Sequence, residues 1–268
     1  MTTLEAHNLI KQYHLRQGVR TRPLRAVDDV SFTLDPRRTV ALVGQSGSGK
    51  STIAKLLLQL ERPTSGEILL DGKSVERRGA GLKRYRRTVQ MVFQDPFASL
   101  NPFHTVEHHL QRPVRLHHPQ LTKDEVHRRV LQLLERVRLT PAENVAARRP
   151  HELSGGQRQR VAIARALAPE PGILIADEPV SMLDVSIRLG VLNLLATLQR
   201  EEDLGVLYIT HDLATARHFS DEILVMYQGR IVERGTADDV ILSPQHEYTK
   251  TLAAAAPNPE RRIGELRR

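Results

Sequence analysis

Nine consecutive residues, Gly44-Gln-Ser-Gly-Ser-Gly-Lys-Ser-Thr52, carry the densest chemical signal in this chain. They fit the pattern G-x-x-x-x-G-K-[ST]. They lie between a short apolar run, Thr39–Val43, and a stretch of helical character, Ser51–Leu60. Strand, loop and helix in that order are the context a phosphate-binding loop requires. Gly44, Gly47 and Gly49 let the backbone wrap closely, so that N–H groups along Ser46, Ser48 and their neighbours point inward at phosphate oxygens. The helix starting near Lys50 adds the positive end of its dipole. Lys50 is expected to place a mobile charge on the β- and γ-phosphates of ATP. Ser51, followed by Thr52, offers a hydroxyl to Mg²⁺.

Two more constellations extend this chemistry. Gly172-Ile-Leu-Ile-Ala-Asp177-Glu178 reads as a buried strand ending in two carboxylates, and parallel sheets bind ligands at the C-terminal ends of their strands. Asp177 is expected to meet the metal. Glu178, one residue further out, is expected to orient and deprotonate water. Leu153-Ser-Gly-Gly-Gln157-Arg-Gln-Arg160 reads as a second anion site. There Ser154 caps a helix whose free N–H groups, at Gly155, Gly156 and Gln157, face a phosphate. One loop already surrounds the phosphates on one side, so the second is aimed at the nucleotide of another subunit.

These residues need a scaffold, and the chain supplies one. Strand-like runs at Thr39–Val43, Gly66–Leu70, Thr88–Phe93, Ile173–Ala176, Val206–Thr210 and Ile223–Met226 alternate with helical runs such as Val185–Gln199. A turn at Gln228-Gly229 leads into Arg230–Glu233. Alternation of this kind implies a largely parallel sheet with helices on both faces. The stretch Asp95–Arg149 differs. It is rich in His and Arg, carries Pro96, Pro102, Pro113, Pro119 and Pro141, and holds a capping box at Thr122–Glu125. Val126, Val130, Leu133, Leu134 and Val137 follow at helical spacing. It reads as a mostly helical insertion.

Bulk properties narrow the class. With 268 residues and 40% hydrophobic content, the chain can bury an ample core. It has no cysteine, which excludes disulfides and thiolate metal sites and fits a cytosolic protein. Met1–His7 lacks the basic patch and apolar run of a signal peptide, and no stretch approaches the ~18 apolar residues of a membrane span. Lys and Arg number 39 against 31 Asp and Glu, a net charge of +8. The arginines are scattered, with clusters at Lys83, Arg84, Arg86, Arg87 and at Arg261, Arg262, Arg267, Arg268, so the excess reads as a solvated basic surface.

The order and spacing of the three motifs resemble the ATP-binding-cassette (ABC) ATPases over nearly the whole chain. That resemblance implies further roles. Tyr13 matches the aromatic that stacks on adenine. Gln94 matches a glutamine that senses Mg²⁺ and the attacking water. Asp184, in Ser181-Met-Leu-Asp184, matches the D-loop, and His211, in Ile209-Thr-His-Asp212, matches the histidine that contacts the γ-phosphate. Phe93-Gln-Asp-Pro-Phe-Ala-Ser-Leu-Asn-Pro102 and Pro244-Gln-His-Glu-Tyr-Thr249 are similar to the oligopeptide, dipeptide and nickel importer subfamily. Gly155–Arg160 and Glu178–Ser186 resemble the second of that subfamily's two ATPases. Met182, Arg188-Leu-Gly190 and Pro36-Arg-Arg38 depart from the usual pattern, none at a catalytic position.

The implied fold is an α/β P-loop ABC ATPase core with a small antiparallel β lobe and an inserted helical lobe. The core with its β lobe would span residues 1–94 and 150–257, the helical lobe 95–149, and a charged tail 258–268. ATP and Mg²⁺ are the implied cofactors. The implied partners are a sister ATPase, two transmembrane permease subunits contacting the helical lobe and, indirectly, a solute-binding protein. The chain would then sit peripherally on the cytoplasmic face of the cell membrane.

Two other readings fare worse. His104-Thr-Val-Glu-His108 matches a zinc-peptidase pattern, but five-residue matches are frequent in a chain with 12 histidines. An ABC ATPase acting on nucleic acid or the ribosome would fit the charge. It would call for a second cassette, a long coiled coil or an added nucleic-acid module, and none is visible, so no specific nucleic-acid partner is expected.

Overall fold

The computed structural model describes residues 2–17 and 20–255. The tail expected at 258–268, with its arginine cluster, lies outside them. The strands are β1 (Leu4–Gln17), β2 (Arg20–Leu34), β3 (Thr39–Val43), β4 (Ser65–Leu70), β5 (Lys73–Ser74), β6 (Val89–Val92), β7 (Ile173–Asp177), β8 (Gly205–Thr210), β9 (Glu222–Tyr227) and β10 (Arg230–Thr236). They form two sheets. One is antiparallel, in the order β2-β1-β4-β5; the other has six strands in the order β10-β9-β3-β8-β7-β6. In the larger sheet every neighbouring pair is parallel except β9–β10.

The central strands β3, β7, β8 and β9 of the larger sheet are buried on both faces, and their two-residue period sorts side chains into two cores. Ala41, Val43, Leu174, Ala176, Val206, Tyr208, Ile223 and Val225 face one core. Val40, Leu42, Ile173, Ile175, Leu207, Ile209, Leu224 and Met226 face the other. The second core is closed by the antiparallel sheet, through Leu4, Leu9, Val27, Val30 and Leu34, and by α1 (Lys50–Leu57). This helix stops before the expected Leu60: Leu58 caps it and Gln59 turns with φ of 53°.

α2 (Gly79–Thr88) sends Tyr85 into the second core, where it is buried and donates its hydroxyl to Leu57 O at 2.5 Å. Residues 95–149 form α3 (Pro96–Ser99), α4 (Val106–His117), α5 (Lys123–Arg136) and α6 (Ala142–Ala147). The expected capping box is present: Thr122 accepts from Glu125 N, and Thr122 N donates to Glu125. Val126, Val130, Leu133 and Leu134 of α5 pack with Leu110 and Val114 of α4 into the first core. That core also holds α7 (Gly155–Leu167), α8 (Val185–Glu201) and α9 (Leu213–Phe219). After β10 come α10 (Ala237–Leu242) and α11 (Glu247–Ala255). Among the described residues no helix is long and apolar enough to cross a membrane.

Candidate active site

Because β3, β8, β7 and β6 run parallel and adjacent, their C-terminal ends share one edge of the sheet. β3 delivers the phosphate loop there, β8 delivers His211, β7 delivers Asp177 and Glu178, and Gln94 follows β6 by two residues. A cavity of 740 Å³ opens at this edge. It is lined by Ser46, Gly47, Gly49, Lys50, Ser51, Thr52, Gln94, Asp177, Glu178 and His211, with Tyr13 from β1.

The phosphate loop is held by close backbone packing. A Cβ on Gly44 would lie 2.3 Å from Met226 O. Gly49 adopts φ of 113°, a region that favours glycine, and a Cβ there would lie 2.2 Å from Ala26 O. Gly229 N donates to Ser48 O at 2.9 Å. Lys50 Nζ donates to the loop's own carbonyls, Gly44 O at 2.6 Å and Gln45 O at 3.0 Å. Burial depresses the Lys50 pKa, and the Glu178 and Asp177 carboxylates oppose that shift. Gly44 and Ser48, expected to bind phosphate, support the loop without lining the cavity.

Glu178 stands at the centre of the carboxylate cluster. Its backbone takes φ of 43°, a left-handed conformation costing a non-glycine residue about 1–3 kcal/mol. Its N–H donates to Ile209 O at 2.8 Å, which fixes β7 against β8. Gln94 Nε2 donates to Glu178 Oε2 at 3.0 Å, and His211 Nδ1 lies 3.0 Å from Glu178 Oε1. Both carboxylate oxygens are therefore engaged, one from each neighbouring strand end. Asp177 is half-buried. Burial raises its pKa, Glu178 raises it further, and Lys50 opposes. The Ser51 hydroxyl, the Gln94 amide oxygen and the Asp177 carboxylate are oxygen donors on residues that line the cavity, the kind of donor a hard divalent cation takes. The Asp177 carboxylate accepts no hydrogen bond among the described residues, so it remains available to one.

Ser154, Gly155, Gly156, Gln157 and Asp184 do not line this cavity. Ser154 caps α7 in a reciprocal box: Gln157 N donates to Ser154 Oγ at 3.2 Å, and Ser154 N donates to Gln157 Oε1 at 2.9 Å. Asp184 is the exposed N-cap of α8. Tyr13 donates its hydroxyl to Glu61 at 2.5 Å, and Lys11 Nζ lies 5.0 Å from its ring centroid. His104 precedes α4, and its ring stacks on His108 at 4.0 Å. Leu24, Ala26 and Gln45 also line the cavity. No motif marks Leu24 or Ala26, because β2 brings them in from a different sheet.

A six-stranded sheet with its Gly-rich loop and carboxylates on one edge, joined to a smaller antiparallel sheet, is the architecture of an ATP-binding cassette. The chain belongs to the ABC transporter family, which it matches over residues 27–181. The dimeric ATP-binding cassette MJ0796, solved in a post-hydrolysis state with ADP and Pi, superposes with a TM-score of 0.75 at 31% identity, covering 87% of this chain and 98% of that one. cbiO1 from Clostridium perfringens, part of the ABC transporter complex cbiONQ, gives a TM-score of 0.78 at 29% identity over 90% of each chain. In sequence, the chain is 46% identical over 268 residues to the glutathione import ATP-binding protein GsiA of Pectobacterium atrosepticum. That match covers 98% of this chain and only 42% of the relative's length.

Proposed function

We propose that this chain is the ATP-hydrolysing subunit of an ABC importer for peptides or a related small solute. The observation that carries the reading is the convergence of the phosphate loop, Asp177, Glu178, Gln94 and His211 on one cavity. The similarity to glutathione import proteins supports a peptide-sized cargo; nickel chelates and oligosaccharides are the other solutes that fit the subfamily resemblance.

The residues take these roles. Backbone N–H groups of Ser46, Gly47 and Gly49–Thr52 surround the triphosphate, Lys50 adds its charge, and Tyr13 stacks on the adenine. Ser51, Gln94 and Asp177 would hold Mg²⁺, which would neutralise charge on the phosphate oxygens. Glu178 takes a proton from water as the water oxygen bonds to the γ-phosphorus. The bond from that phosphorus to the bridging oxygen breaks, leaving ADP and phosphate. Gln94 and His211 keep the Glu178 carboxylate aimed, and His211 reaches the γ-phosphate. Ser154, Gly155, Gly156 and Gln157 lie off their own cavity and complete the nucleotide site of a partner ATPase in a head-to-tail dimer, with Asp184 at the seam. Two permease subunits, contacted by the helices of 95–149, place the chain on the cytoplasmic face of the membrane, and a solute-binding protein delivers the cargo.

The test is co-purification of the chain with its sister ATPase and membrane subunits, followed by vesicle uptake and ATPase assays with wild type and Lys50→Ala. Membrane partners should stimulate ATPase activity several-fold, and Lys50→Ala should abolish both activity and uptake. ATPase activity stimulated by nucleic acid and indifferent to membrane partners would overturn the importer reading.

A further inference from the structure

A side chain from a remote part of the chain anchors the phosphate loop. Gln45 N donates to the Tyr248 hydroxyl at 2.9 Å, across 203 residues of sequence. The carbonyl of the same residue accepts from Ser48 N at 3.2 Å and from Lys50 Nζ at 3.0 Å. Gln45 is therefore gripped on both sides, and the Gly44–Gln45 peptide joins Tyr248 to the lysine, because its carbonyl, Gly44 O, also accepts from Lys50 Nζ at 2.6 Å.

Tyr248 is itself held in place. It is the second residue of α11, and its ring packs on Tyr227, with centroids 4.2 Å apart and planes tilted by 30°. Tyr227 ends β9 directly after Met226, whose carbonyl abuts Gly44. The chain entering α11 is tied to β10: Gln245 N and His246 N donate to the two oxygens of Glu233 at 2.7 and 2.9 Å. Tyr248 N then donates to His246 Nδ1 at 3.1 Å, so the imidazole caps the helix. The half-buried Tyr248 packs against the first core with Leu252 and Ala253. The hydroxyl is thus positioned by the β9–β10 hairpin.

We propose that Tyr248 is a positioning residue for the nucleotide. Its hydroxyl fixes the Gln45 peptide and through it the loop that binds phosphate, so it sets nucleotide affinity without touching the nucleotide. The proposal rests on the reading that Gly44–Thr52 holds ATP. Preorganisation of a binding loop is expressed in affinity, because a loop already in its bound shape loses less freedom on binding. Removing one hydrogen bond of this kind is expected to weaken binding roughly 2- to 10-fold.

Tyr248→Phe in the full chain removes only the hydroxyl and keeps the ring on Tyr227. The measurements are titration with Mg²⁺ and trinitrophenyl-ATP, hydrogen exchange at the Gln45 amide, and the KM and kcat of the assembled ATPase. Wild type and Lys50→Ala run alongside. The expected result is 2- to 10-fold weaker nucleotide binding and a matching rise in KM. kcat should stay within two-fold, and Gln45 should exchange faster while α11 keeps its protection. Equal affinity in Tyr248→Phe and wild type, with Lys50→Ala defective, would overturn this proposal and leave the ATP site standing. A Gln45 amide that exchanges in wild type as freely as an open loop would do the same. Equal binding by wild type and Lys50→Ala would instead remove the ATP reading of the loop, and this proposal with it.

Discussion

Glu178→Gln tests the chemistry most directly, because the geometry lets the substitution be nearly silent to the fold. Glu178 Oε2 accepts from Gln94 Nε2 at 3.0 Å, and Oε1 faces His211 Nδ1 at 3.0 Å. A glutamine can turn its carbonyl toward Gln94 and its amide toward His211, provided the imidazole carries its proton on Nε2. Both contacts then survive, and what disappears is the basic oxygen. General-base catalysis contributes about 10²- to 10⁴-fold, or about 3–5 kcal/mol of barrier at about 1.4 kcal/mol per decade. Single-turnover hydrolysis of γ-labelled ATP by the assembled ATPase should slow by at least about 10²-fold. ATP affinity should hold near wild type, and an ATP-occupied dimer should accumulate. Glu178→Ala, which loses both hydrogen bonds, gives the comparison: it should also lower the melting temperature. Hydrolysis by Glu178→Gln at near wild-type rate, with nucleotide bound, would refute the assignment of Glu178 as the base.

Other perturbations probe different parts of the same frame. Gly49→Ala places a Cβ 2.2 Å from Ala26 O at φ of 113°, so ATP binding should be lost and the melting temperature should fall; retained binding would mean that the loop adopts another shape. Ser154→Arg should leave nucleotide binding by the isolated chain intact, since Ser154 does not line its own cavity, while it disables turnover at the partner's site in the assembled dimer. Loss of ATP binding by the isolated Ser154→Arg chain would rule out the head-to-tail arrangement. Asp28 is clasped by Arg230 and Arg25, and hydrogen bonds from Arg230 above all hold its pKa below the ordinary carboxylate value. A depressed folded pKa stabilises fully above the unfolded value of about 3.9, and that contribution is lost as pH falls through the folded pKa. Asp28→Asn should therefore lower the urea midpoint at pH 7 and converge on wild type under strong acid; a gap independent of pH would exclude this coupling.

The sequence reveals what local chain geometry determines. The phosphate loop, the Asp177–Glu178 strand end and the Thr122–Glu125 capping box are short, contiguous patterns, and each forms where it was expected. β1 leaves no regular period in the sequence, because Asn8 adopts φ of 46° and the register shifts between Ala6 and Leu9, breaking the alternation of apolar residues. α2 gives no apolar period in the sequence, because Tyr85 is its one fully buried side chain and the rest is rich in Arg, Lys and Gly. The bond between Gln45 and Tyr248 could not be read at all, since it depends on a contact between residues from opposite ends of the chain. The reach of Gln94 and His211 to the two oxygens of Glu178 is invisible for the same reason, as it follows from strand order β8-β7-β6.

The sorting of β7 into two cores constrains how this segment can vary over evolutionary time. Ile173 and Ile175 belong to one face, Leu174 and Ala176 to the other, and the strand runs straight on into Asp177 and Glu178. Exchanges among branched apolar side chains leave the count of residues unchanged and can drift. Insertion or loss of a single residue within Ile173–Ala176 exchanges the two faces and would offer one carboxylate in the place of the other. Length polymorphism should therefore be absent from this strand among functional variants, even where its apolar letters differ freely.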